Sequence, residues 1–300
     1  TEYEVCRLAK KLNVPVLLWG PRDECPDENG MRLRDSQCGL FATGKVLRRF
    51  GIPFTYLKNC NLEDECFAEG IDRFLRVCNV VKAFRNTRVL QISTRPFDFW
   101  STMCNEGELL EKFGIQLSPI PMPELTQAMK DVKENSPEEI KEVTDYCREK
   151  MCIKVTPEQL DNVAALKIAM TRLGKKYGCN CGAIQCWNAL QDEIGIMPCA
   201  ANALCNDEGF PIACETDIHG TITSVLVEAA AMGETRSFFA DWTVRHPYND
   251  NAELLQHCGP WPISIAKEKP TIDTPVAFDC SGSLMAQAKD GEHISLVQFR

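Results

Sequence analysis

Three phrases late in the chain, Cys214-Glu215-Thr216-Asp217, Phe239-Ala240-Asp241-Trp242 and Leu255-Gln256-His257-Cys258-Gly259, each put a metal-capable side chain at the edge of an apolar stretch. Glu215, Asp241 and His257 together make a mostly oxygen donor set, which suits Mn²⁺ or Mg²⁺ better than a thiophilic ion. Such a set leaves coordination positions open. A cation held this way can chelate neighbouring oxygens of a substrate while the carboxylates carry protons, which points to polyol or sugar chemistry. Each residue also has a plainer reading. Asp217, or Glu215, caps the helix that follows, Asp241 is a turn residue, and His257 is a satisfied structural histidine.

The elements needed to hold these residues are legible along the chain. The first half alternates in the manner of an α/β protein with parallel, Rossmann-like sheets and helices on both faces. A helix over 4–12 leads to an apolar run over 14–19, then a helix over 35–50, a strand over 53–57 and a long helix over 62–83. A boundary is expected near Asn86, giving a first unit over 1–86. The second, over 87–235, opens with strands at 88–93 and 115–120 and three helical segments. Ser136-Pro137-Glu138-Glu139 and Thr156-Pro157-Glu158-Gln159 each have a capping hydroxyl, Pro at the first helical position and an acid or amide three residues after the cap. Short apolar runs follow at 183–186, 196–199 and 211–214, then a helix over 218–232. Glu215 would thus project from the carboxyl end of a strand, where open α/β sheets place ligands. Beyond 237 the pattern turns to short strands at 238–240, 253–256 and 275–280, with Asp290-Gly291 as a hairpin turn and a last run at 295–300. A β-rich third domain is expected over 236–300.

Composition narrows the function. With 300 residues, 44% of them hydrophobic, the chain can bury a large core. A formal net charge of −9 without a basic, aromatic-interleaved run argues against a nucleic-acid partner. No apolar run is long enough to span a membrane. The 17 cysteines are scattered through helical and strand-like segments, with no secretory signal before them. They read as reduced, mostly buried thiols of a cytoplasmic protein. Cys179-Asn180-Cys181 with Cys186 invites a zinc reading, but no C-x-x-C pair occurs and buried thiols are preferred. No Walker loop, dinucleotide fingerprint or nucleophile elbow is present.

At these residues the chain resembles the L-fucose isomerase/L-arabinose isomerase family of metal-dependent sugar isomerases. The segments that carry the resemblance are Ile184-Gln185-Cys186-Trp187, Pro198-Cys199, Asn206-Asp207-Glu208-Gly209, Ala213-Cys214-Glu215-Thr216-Asp217-Ile218-His219-Gly220, Phe239-Ala240-Asp241 and His257-Cys258-Gly259. Weaker likeness extends through Leu18-Trp19-Gly20, Arg95-Pro96-Phe97-Asp98 and Phe113-Gly114-Ile115.

The resemblance implies that Glu215, Asp241 and His257 match the family's metal ligands. Mn²⁺ is the usual ion, with Mg²⁺ or Co²⁺ as other divalent choices. It implies an aldose-ketose isomerisation of an open-chain sugar through an enediol, with Glu215 and Asp241 as the acid/base pair in an order left open. It further implies a homo-oligomer, a hexamer as in relatives, in which Trp19 lines a neighbouring subunit's sugar pocket. Trp19 read alone could equally end a buried strand, and Trp187 is a weaker pocket candidate, more often core than ligand. The chain is expected to match the family's middle, with a start upstream of Thr1 and closing strands after Arg300. An epimerase or lyase using the same site, or a carbohydrate-binding relative without turnover, would fit the same residues.

Overall fold

The computed structural model describes residues 2–258, 260, 262–274, 280 and 282–287. The chain divides into two compact units, Thr1–Val81 and Lys82–Arg300. In the first, α1 (Glu2–Leu12) and α2 (Ser36–Arg49) accompany two short strands, β1 (Leu17–Leu18) and β2 (Thr55–Tyr56), paired in parallel with Leu17 opposite Thr55. The division falls within α3 (Glu65–Arg85).

The second unit is built on four parallel strands, β3 (Arg88–Ile92), β4 (Gln116–Ile120), β6 (Cys181–Ile184) and β7 (Ile212–Ala213), in the order β4-β3-β6-β7. Their side chains alternate between two apolar layers, as the two-residue period of a strand requires. Leu90, Ile92, Ile184 and Ile212 face one layer with α5 (Met122–Asn135), α6 (Pro137–Lys150) and α7 (Pro157–Tyr177). Val89, Cys181, Ala183 and Ala213 face the other, with Ile218 and Ile222 of α10 (Ile218–Ala230). The expected α/β architecture, a parallel sheet covered on both sides, is therefore present.

Between β3 and β4 the chain forms the short α4 (Glu106–Glu108) and a π turn, Leu109–Phe113, stopped by Gly114 at φ +71°. α8 (Ala189–Ile194) and α9 (Cys199–Asp207) connect β6 to β7. The run over 196–199, read from sequence as strand-like, instead ends at the start of α9. That helix is buried from Cys199 through Asn206, so its apolar residues do not mark one face and imitate a strand.

Both cap motifs mark true helix starts, but they work differently. Thr156 makes the full reciprocal box, its Oγ1 accepting from Gln159 N at 3.2 Å while Thr156 N donates to Gln159 Oε1 at 2.9 Å. Ser136 sits at the cap of α6 without a side-chain cap bond, because its Oγ accepts instead from Arg172 Nη2 at 2.9 Å. Replacing Thr156 by Ala is expected to cost about 1 kcal/mol, while Ser136→Ala costs less than that. Chemical denaturation of the two variants checks the contrast.

Past α10 the structure departs from the sequence reading. Residues 238–240 are not a strand. β8 (Asp241–Arg245) begins at Asp241 and pairs antiparallel with β9 (Glu253–Gln256), with an irregularity between Trp242 and Val244. The whole of β8 is exposed. The short β5 (Cys152–Ile153), which follows α6, forms a second sheet with β10 (Thr271–Asp273) and β11 (Ser283–Met285). β10 runs parallel to β5 and antiparallel to β11. The strand expected over 275–280 falls almost wholly outside the described residues, as do the 290–291 turn and the 295–300 run. Among the described residues no helix is long and apolar enough to cross a membrane.

Candidate active site

Glu215 sits two residues beyond β7, in the short turn that leads into α10. Glu215 and Thr216 both have φ of +52°, a left-handed conformation that residues with a Cβ avoid. Cross-strand bonds hold the turn there. Thr216 N donates to Ile184 O at 3.0 Å at the end of β6, and Thr216 Oγ1 donates to Thr94 O at 3.0 Å beyond β3. Glu215 N donates to Cys186 Sγ at 3.3 Å, and Glu215 O accepts from Thr102 Oγ1 at 3.3 Å. Asp217 then caps α10, accepting from Gly220 N at 2.9 Å, so the plainer reading of Asp217 is the one the fold uses.

The turn aims a buried carboxylate at two groups of partners. Its Oε1 accepts from Trp187 Nε1 and from Cys186 Sγ, each at 3.3 Å. Its Oε2 lies 3.6 Å from His257 Nε2. Glu215 and His257 are only 7% and 8% exposed, so this pair is shielded from water. Desolvation pulls the His257 pKa down. Hydrogen bonds to Cys258 and Glu215 and the Glu215 charge outweigh it, lifting the imidazole to about 10. Phe239 holds the ring from the side, with centroids 5.1 Å apart at 70°.

Asp241 opens the exposed strand β8. Its carboxyl is pushed above the usual range first by desolvation and then by the Glu215 charge, against the opposing pull of His257. All three predicted ligands therefore act on one another electrostatically. The tightest grouping is nevertheless a different one. Among the described residues, the set of three metal-capable side chains whose donor atoms all lie within 4.8 Å of one another is Cys186, Cys214 and Glu215.

Glu215 and His257 offer an oxygen and a nitrogen 3.6 Å apart. The two donor atoms are close enough to bond one ion, and the buried His257 Nδ1 has no hydrogen-bond partner.

Trp187 is positioned as a holder of the carboxylate. Besides its bond to Glu215, its ring lies 5.4 Å from that of Phe99. Trp19 belongs to the first unit, where its indole N–H donates to Cys60 O at 3.1 Å and its ring meets Phe67 at 4.9 Å. The Cys179 and Cys181 thiols donate to the separate carbonyls of Tyr177 and Arg88. Sequence reasoning weighed Cys186 only with Cys179 and Cys181, as a zinc set it set aside for buried thiols, and assigned no role to Cys214, Cys258 or Phe239, although each stands within two residues of one it did single out. Cys258, hydrogen-bonded to Cys199 and beside His257, has its thiol pKa lowered, chiefly by that bond to Cys199.

Residues 1–85 match the family model described as the fucose/sulfoquinovose isomerase, N-terminal domain. The chain is 25% identical over 260 residues to a sulfoquinovose isomerase of Alkalicoccus urumqiensis, a match covering 86% of this chain and 57% of that protein. A sulfoquinovose isomerase of Priestia aryabhattai is 25% identical over 253 residues, 84% of this chain and 55% of that one. A third, from Clostridium sp. (strain MSTE9), is 25% identical over 264 residues, 87% of this chain and 57% of its own length. The chain thus spans a little over half the length of the curated relatives it matches.

Proposed function

The chain is a relative of the fucose isomerase-like family, and on that premise we propose that it contributes the active site of an aldose-ketose isomerase acting on an open-chain sugar. The observation that carries this reading is the buried Glu215 carboxylate. It is held in a strained turn at the carboxyl end of a parallel sheet, with His257 on one oxygen and Trp187 and Cys186 on the other. Isomerisation requires a proton to leave C2 of the aldose and one to arrive at C1 of the ketose, through an enediol, with a second proton exchanged between the two oxygens. Two carboxyl groups suffice for this. Of Glu215 and Asp241, one serves carbon and the other oxygen.

The fold supports each task. The bonds from Trp187 and Cys186 fix the Glu215 carboxylate so that its reactive lone pair is already oriented. The raised pKa of Asp241 favours a carboxyl able to give as well as take a proton. Glu215, Asp241 and His257 would hold the metal, Mn²⁺ in our reading. When bound, it supplies Lewis-acid polarisation of the sugar carbonyl. A homo-oligomer, hexameric by the resemblance, belongs to the same proposal.

The test is a panel of aldoses that includes L-fucose, L-arabinose and sulfoquinovose, the sugars named by the family and the relatives. It is assayed for ketose formation after chelation and again after Mn²⁺ is restored. One sugar is expected to be converted, with the rate depending on the added ion. A protein that binds a sugar of the panel without forming any ketose would overturn the proposal in favour of a carbohydrate-binding role.

A further inference from the structure

Sulfur collects at the carboxyl ends of the last two strands of the sheet. Cys186 lies two residues past β6 and Cys214 directly follows β7, neighbours paired through Ala183 and Ala213. The two sulfurs and a Glu215 oxygen all lie within 4.8 Å of one another, and all three residues are buried. We propose that Cys186, Cys214 and Glu215 form a binding site for a thiophilic divalent cation of the Zn²⁺ class, separate from the harder-ion site and sharing Glu215 with it. The inference does not depend on the isomerase reading.

Two observations besides proximity support it. Each sulfur already receives an N–H donor, Cys186 Sγ from Glu215 N at 3.3 Å and Cys214 Sγ from Asn202 Nδ2 at 3.6 Å. Such donors are the outer contacts that tune metal-bound thiolates, while the hydrogen bond with Cys186 and burial otherwise push the Cys214 thiol well above the usual range, so its proton leaves only under a cation's charge. Asn202 is fully buried, and its Oδ1 has no hydrogen-bond partner. Buried acceptors rarely go unpaired, and this one belongs to the amide whose Nδ2 donates to Cys214 Sγ.

Two thiolates and a carboxylate are a ligand set that zinc takes in tetrahedral geometry, with one position left for Asn202 or water. Binding replaces two S–H protons by one Zn²⁺, and both protons pass to solvent, so the charge balances. The proton on Cys186 already points at a base, since its thiol donates to Glu215 Oε1 at 3.3 Å. A cation's own charge deprotonates the thiols it binds. Because Glu215 is shared, zinc at this site would withdraw that carboxylate from any proton transfer.

X-ray absorption on the whole chain tests this directly, after reduction, chelation and addition of one equivalent of Zn²⁺. Sulfur scatterers at about 2.3 Å are expected. A shell of oxygen and nitrogen alone, at about 2.0–2.1 Å, or no retained zinc, would overturn the site. Because this measurement uses the native sequence, it stands even if a cysteine variant fails to fold.

Co²⁺ substitution locates the sulfurs. A near-ultraviolet thiolate-to-cobalt band is expected, lost by at least half in Cys186→Ser and in Cys214→Ser. The band should be unchanged in Cys199→Ser, and also in Asp241→Asn, which removes a ligand of the harder-ion site only. A band that persists in both of the first two variants, or disappears in Cys199→Ser, would contradict the assignment. A spectrum as expected from a chain that isomerises no sugar would leave this site standing and remove only the proposed activity.

Discussion

Replacing Glu215 by Gln is expected to lower turnover by about 10²–10⁴-fold, the range over which a positioned acid or base contributes, while the fold is retained. The amide is isosteric, and one oxygen can still accept from Trp187 and Cys186. What is lost is the negative charge beside His257 and the ability to carry a proton. His257 then loses the Glu215 interaction that helps hold it at about 10, and its pKa is expected to fall toward the ordinary imidazole range. Steady-state rates with an unchanged far-ultraviolet circular dichroism spectrum check the first part, and titration of the imidazole by NMR checks the second. Near-normal turnover in a folded variant would remove Glu215 from the chemistry.

The second large effect is expected at Gly220, in the first turn of α10. A Cβ added there would lie 2.3 Å from Phe239 Cε2 and 2.7 Å from Asp217 Oδ2, both far inside contact distance. The aspartate is the cap of the helix and the phenylalanine is the ring that flanks His257. Gly220→Ala should therefore destabilise by about 1–3 kcal/mol through overpacking. It should also lower turnover by about 10²-fold if the imidazole moves by an ångström relative to Glu215. Gly39→Ala is the matched control. It lies within α2 with nothing within 4 Å of the added Cβ, and is expected to stabilise slightly. Denaturant midpoints and rates measured on both variants separate a local clash from a general intolerance of alanine.

The parts of the fold visible in sequence are those with strong local signals. Pro157 after Thr156 and Gln159 three residues past it announced the start of α7, and the runs at 88–93 and 115–120 announced β3 and β4. The parts that were not visible depend on partners distant in the chain. β5 and β10 are two and three residues long and pair across more than a hundred positions, so neither has a period to read. Ser136 looks like an ordinary cap until Arg172, from the next helix, takes its hydroxyl.

The candidate site was legible to the same degree. Glu215 at the end of an apolar run, just before a capped helix, could be read directly, and its closeness to His257 agrees with that reading. Asp241 was placed at the end of an element and in fact begins one, because the alternation of β8 over Trp242-Thr243-Val244-Arg245 went unread. Cys186 and Cys214 stand 28 positions apart and fit no ligand spacing. Only the pairing of β6 with β7 brings them side by side.

The central claim is that Glu215 stands at a site where protons move on and off the carbons of a sugar. Running the reaction in deuterium oxide, with the sugar that the panel identifies, measures this most directly. Proton transfer through an enediol predicts deuterium at C1 of the ketose or C2 of the recovered aldose, and its loss in Glu215→Gln. Product formed at full rate with no deuterium at either carbon would contradict the account.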